Sequence, residues 1–151
     1  MLYSYRITKY FESNTNGNLI SNEDEWTSFS DVGENVSLEE YLKVENAYLD
    51  VITSACEHLH VSKLKVIDLE CINGDHSSFN GQFLTIENAC ALARSILKEE
   101  VWCKLTSTDI EFHFGYDFYM YLVSNMEFSN FFKKTGFTNI LNIEKFKSPY
   151  L

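Results

Sequence analysis

Basic charge is what this sequence has least of. Twelve Lys and Arg stand against twenty-two Asp and Glu, a formal net charge of −10 over 151 residues. That balance argues against nucleic acid as the partner, because neutralising phosphates takes clustered cations. Long apolar runs are missing too. The longest near the centre is residues 118–123, six in all, against about twenty for a membrane-spanning helix, so no membrane partner is expected. No basic stretch leading into an apolar one opens the chain, so a secretory leader is not expected and the cytoplasm is the expected compartment. The four cysteines, Cys56, Cys71, Cys90 and Cys103, are widely spaced and form no CxxC pair. In a reducing cytosol they read as small buried hydrophobes, two disulfides in an exported protein being the alternative. Of the six glycines, Gly74 and Gly81 fit neither phosphate-loop pattern, and no GxSxG elbow occurs. These absences remove the common enzyme signatures without excluding an enzyme.

What is present is globular. Composition is 45% hydrophobic, 15% aromatic and 23% charged, which excludes a disordered or collagen-like chain. The length suits one domain over residues 1–151, with roughly 68–70% of the unfolded surface buried. Residues 2–11 are rich in β-formers and read as a first strand. Residues 13–24 read as a surface loop, and Trp26, Phe29 and Val32 allow a short helical turn before Gly33. Ser37 with Glu40 marks the start of a long helix, and Leu38, Leu42, Leu49, Ile52, Cys56 and Leu59 make its apolar stripe to about residue 60. A strand follows over 64–72 and a loop over 73–84. Thr85 caps a second helix carrying Ile86, Ala89, Cys90, Ala93, Ile96 and Leu97. Strands are expected over 101–107, 109–115 and 117–124, where the period drops to two. Ser124 with Glu127 offers a capping box for a short helix ending at Lys133, Lys134 and Gly136, before a last strand around Ile140–Phe146. A run of adjacent late strands does not suit an all-parallel sheet. The expected fold is therefore α+β: a mixed or mainly antiparallel sheet of about five to six strands, two main helices and one short helix.

Three groups of residues invite a chemical reading. Asp109, Glu111 and His113 alternate with Ile110, Phe112 and Phe114, so the polar three share one strand face, with Tyr116 and Asp117 close by. Carboxylate beside imidazole is raw material for acid–base chemistry, but polar residues opposite Phe and Ile are also what a half-buried strand requires. A flat, solvated face is the expectation. Cys56, His58 and His60 resemble a ligand set, yet residues two apart on a helix point about 200° from each other. They read better as a helix C-terminus, where imidazoles suit the dipole. Glu45 falls on the apolar stripe of the long helix, so it must be paired or hydrogen-bonded, and Tyr41 and Tyr48 are the nearest hydroxyls. No catalytic residue, cofactor or metal is assigned.

Charge distribution says more. Residues 12–50 hold ten acids (Glu12, Glu23, Asp24, Glu25, Asp31, Glu34, Glu39, Glu40, Glu45 and Asp50) against one base, Lys43. Residues 128–151 reverse the sign, with Lys133, Lys134, Lys145 and Lys147 against Glu144. An acidic segment interleaved with Trp26, Phe29, Tyr41 and Tyr48 offers a steering field plus aromatic anchors, the makings of a protein interface. A surface made soluble by its charge is the plainer account.

Residues 24–30 (DEWTSFS) followed by Asp31, Val32 and Gly33, the helix opening Tyr41, Leu42, Lys43, Val44 and Glu45, and the late block Val101, Trp102 and Cys103 with His113, Phe114, Gly115, Tyr116 and Asp117 together resemble small acidic bacterial immunity proteins of polymorphic toxin systems. The resemblance implies a cytoplasmic protein that binds and neutralises one cognate toxin domain, with a basic nuclease suiting the acidic balance. The expected partner-binding residues are Glu23, Asp24, Glu25, Trp26, Asp31, Glu45, Glu111, His113, Tyr116 and Asp117. The competing expectation is a small-molecule enzyme or ligand-binding domain built on Asp109, Glu111 and His113.

Overall fold

A computed structural model describes residues 1–13, 19–20 and 25–151. Its strands are β1 (Tyr3–Thr8), β2 (Glu12–Ser13), β3 (Leu19–Ile20), β4 (Lys63–Cys71), β5 (Phe83–Thr85), β6 (Val101–Thr106), β7 (Ile110–Phe114), β8 (Met120–Ser124) and β9 (Asn142–Lys145). Helices α1 (Leu38–His58), α2 (Ile86–Leu97) and α3 (Ser129–Thr135) complete the α+β fold. Seven strands form one sheet in the order β5-β4-β6-β7-β8-β1-β9, antiparallel at every pairing, and β2 and β3 pair antiparallel as a separate two-stranded sheet. The sheet is thus larger than the expected five to six strands. The added strand is β5, three residues behind the Gly- and Ser-rich loop, too short to show a period of its own.

The helices form where the caps point. Ser37 Oγ accepts from the Glu40 amide at 3.1 Å and Thr85 Oγ1 from the Asn88 amide at 3.2 Å, each satisfying a free amine-end N–H. The Ser124 cap does not form. Ser124 ends β8, its hydroxyl donating to the Asp109 carbonyl, and α3 starts five residues later. Gly136 closes α3 at φ +74°, the left-handed turn that glycine adopts without strain. Leu38 is exposed, so the buried stripe of α1 begins at Tyr41 and runs through Val44, Tyr48, Ile52, Ala55 and Cys56.

The two sheet faces differ in chemistry. Register aligns Val66, Leu105, Phe112, Leu122 and Tyr5 across five strands, and this apolar row packs beneath the helices in one core. The opposite face carries Lys104, Glu111, His113, Tyr121 and Arg6 and is crossed by the terminal segment 146–151. Of the cysteines, Cys56 and Cys103 are buried, Cys90 is half-buried and Cys71 is exposed, so only the first two are core hydrophobes; all four are free thiols. Burial pushes the Cys56 and Cys103 thiols up to about 12, which keeps them protonated and unreactive at neutral pH. Among the described residues no helix is long and apolar enough to cross a membrane.

Candidate functional site

The strand triplet is the first correction. Asp109 lies in the turn before β7, exposed and off the strand face. Glu111 and His113 do share a face, with His113 Nε2 3.1 Å from Glu111 Oε1. The other ring nitrogen, Nδ1, is 2.8 Å from Ser148 Oγ. Hydroxyl, imidazole and carboxylate in line have the order of a nucleophile, base and orienting acid. Access decides the matter: His113 is 1% and Ser148 2% exposed. The expected flat, solvated face is instead sealed by the chain's own C-terminal strap.

The strap is pinned at each step. The Phe146 amide donates to the Ser4 carbonyl at 3.0 Å and the Ser148 amide to Ser4 Oγ at 2.9 Å. Lys104 Nζ donates to the Tyr150 carbonyl at 2.7 Å, and the Tyr150 ring contacts Trp102, Tyr121 and His113 at centroid separations of 5.6, 5.9 and 6.3 Å. Arg6 lies with its guanidinium 4.0 Å over the Phe146 ring and donates to Glu144 at 3.0 Å. Burial lowers the His113 pKa below its ordinary 6.5, the Glu111 carboxylate partly opposing. The imidazole is therefore neutral at pH 7, donating from one nitrogen and accepting at the other.

Glu45 is fully buried and answers the need read from its place on the stripe. Tyr41 Oη donates to Oε2 at 2.5 Å, Arg94 donates to Oε1 at 2.5 Å, and Lys98 Nζ lies 3.3 Å from Oε2. Arg94 also donates to Asn46 at 2.8 Å. Tyr48 turns elsewhere, donating to the Phe118 carbonyl at 2.6 Å. Arg94 on α2 and Lys98, the residue that caps its end, thus clamp α1 through a carboxylate with no solvent contact, so Glu45 is unavailable to a partner. The i, i+4 spacing of Arg94 and Lys98 beside an apolar stripe was the signal that could have found them.

The aromatic anchors also move inward. Trp26 is 8% exposed and Tyr41 and Tyr48 are fully buried. Trp26 meets Tyr41 at 5.4 Å and Phe118 at 5.1 Å, Phe29 stacks on Tyr41 at 4.9 Å, and the Lys9 ammonium lies 4.2 Å over the Trp26 ring. A large ring among acids is buried here because Phe118 and Tyr41 complete a cage around it.

That cage brings distant acids together. Tyr10 Oη donates to the Asp117 carbonyl at 2.7 Å. Burial first, then the charges of Asp117 and Glu25, push the Tyr10 phenol far up. Glu25 pairs with the buried Lys9 at 3.0 Å. Asp31 accepts from the Thr27 and Ser28 amides, bonds that lower its pKa and keep it ionised. Glu99, at φ +63°, reaches the Asp117 amide at 3.2 Å, and Glu100 follows it before β6. Neither Glu99 nor Glu100 was singled out in the sequence. Glu23 and Asp24 lie outside the described residues.

The turn that holds Asp117 is strained. Asp117 and Phe118 have φ +58° and +68°, the mirror-image turn normally made by Asn-Gly, closed by Tyr119 N–H donating to the Tyr116 carbonyl at 3.3 Å. A buried phenylalanine in the left-handed region persists only when packing and hydrogen bonds over-determine it, and the Trp26 and Tyr48 contacts do so. The turn presents Tyr116, 65% exposed, and the Asp117 carboxylate to solvent. Among the described residues no three His, Cys, Asp or Glu side chains gather as a metal would require. Comparisons with protein families, with curated proteins and with solved structures find no match.

Proposed function

We propose that this chain is an immunity-type inhibitor, which neutralises a basic toxin domain by protein contact at the acidic end formed by Glu25, Asp31, Glu99, Glu100 and Asp117, with Tyr116 as its exposed aromatic. The observation that carries the reading is the β7–β8 turn itself: the Asp117 amide bonds to Glu99, and the neighbouring Phe118 packs on Trp26, whose segment also carries Glu25 and Asp31. An excess of carboxylates steers a basic partner, and a turn braced by packing limits the entropy lost on docking. The enzyme reading has the His113–Glu111–Ser148 alignment in its favour, but the imidazole and the hydroxyl that would do the chemistry are both buried, the hydroxyl as part of the strap itself.

The test is protection in cells. A toxin domain encoded in the adjacent reading frame is expressed with the chain, or with an Asp117→Lys, Glu99→Lys variant. Growth rescue by wild type and its loss in the variant, with the variant still folded, is the expected result. Full protection by the variant, or none by wild type, would overturn the reading.

A further inference from the structure

The molecule has a second surface, of opposite sign. Lys133 near the end of α3, Lys145 in β9 and Lys147 in the strap border two adjoining grooves that share Tyr5 and Lys145. The groove between α3 and β9, of about 210 Å³, is lined by Phe132, Lys133, Ile143 and Lys145. The other, of about 450 Å³, is lined by Leu2, Lys145, Phe146 and Lys147, and Leu2 is 83% exposed. β9 is the last strand of the sheet and pairs with β1 alone, so its outer main-chain edge has no strand neighbour among the described residues. Acids nearby leave the lysines largely available: Glu144 is engaged by Arg6, and Glu127 approaches Lys145 only at 3.9 Å.

We propose that this edge receives an extended acidic segment of a partner protein as an eighth strand beside β9, its carboxylates meeting Lys133, Lys145 and Lys147 and its apolar residues covering Leu2 and Phe146. An open edge supplies main-chain hydrogen bonds, and flanking pockets of alternating chemistry select the side chains. A second copy of this chain is disfavoured as the occupant. Two β9 edges related by a two-fold axis would bring their lysines together, and like charges across a strand pair destabilise it. An anionic lipid surface would match the lysines but leave the edge N–H and C=O groups unpaired by any strand. The proposal does not depend on the acidic end.

The probe is a synthetic acetylated decapeptide alternating Glu and Val, titrated into the isotope-labelled full chain. Expected are amide shifts confined to residues 2–5 and 142–147, slowed hydrogen exchange in β9, and affinity about tenfold weaker in a Lys133→Glu, Lys145→Glu, Lys147→Glu variant. A Lys–Val peptide of equal length should not bind, a comparison that needs no variant to fold. No shift at β9, equal binding by the variant, or binding without slowed exchange would overturn the proposal. So would phosphatidylserine vesicles that the peptide fails to displace, or self-association of the chain through this edge.

Discussion

Two clusters gather most of the described residues that the sequence marks for chemistry, and they differ in access. At the acidic end, Asp117 and Tyr116 face solvent from a turn braced by Trp26 and Phe118. At the strap, His113 lies buried between Glu111 and the strap's own Ser148, within hydrogen-bond distance of both. The first has exposed carboxylates without a reactive alignment. The second has the alignment without exposure. Residue types that suit catalysis mark a functional site only when a partner can reach them, and here the chain's own terminus occupies the approach.

The largest expected effect tests whether the acidic end rests on its cage. Trp26→Ala should lower stability by about 3–5 kcal/mol, the usual cost of emptying a large aromatic site, read as a shift in the denaturation midpoint. A midpoint within error of wild type would return Trp26 to the surface. His113→Ala should cost about 2–3 kcal/mol, since it leaves the buried Ser148 hydroxyl without its imidazole partner, removes a bond to Glu111 and opens a small void. A change below about 0.5 kcal/mol, the range of ordinary surface substitutions, would mean that the strap does not seal the cluster.

A smaller effect follows from the His113 proton. Its folded pKa lies below the ordinary 6.5 because of burial, so as pH falls through 6.5 the unfolded chain takes up the proton first. Stability should therefore fall as pH drops below 6.5 and level off, for this group, once the folded-state pKa is passed. Denaturation series between pH 7.5 and 5 should show this slope in wild type and a flatter one in His113→Gln. Equal slopes would mean that His113 titrates alike in both states.

The fold was legible where local chemistry decides it. Ser37 and Thr85 announced their helices through side-chain caps, and the period-two stretches from Val101 to Ser124 announced three adjacent strands. The strap was not legible, because residues 146–151 have no periodicity and their position depends on Ser4, Lys104 and His113 in other strands. Glu45 was readable as a carboxylate that needs partners, but Arg94 lies 49 residues away. Trp26 was ambiguous for a physical reason: a ring among acids suits an anchor or a core equally until Phe118 is placed beside it. The packing of the Trp26 segment, with Glu25 and Asp31, against the β7–β8 turn is long-range, and no local pattern encodes it.

On the proposed function, the open cluster and not the sealed one meets the partner. Stopped-flow association of the chain with a basic toxin domain, measured across a salt series, tests it most directly. The on-rate should fall steeply with salt, Asp117→Lys with Glu99→Lys should slow association several-fold in a protein that still unfolds cooperatively, and His113→Gln should leave the on-rate unchanged. An on-rate indifferent to salt and to the acidic-end charges, or one abolished by His113→Gln in a folded protein, would contradict it.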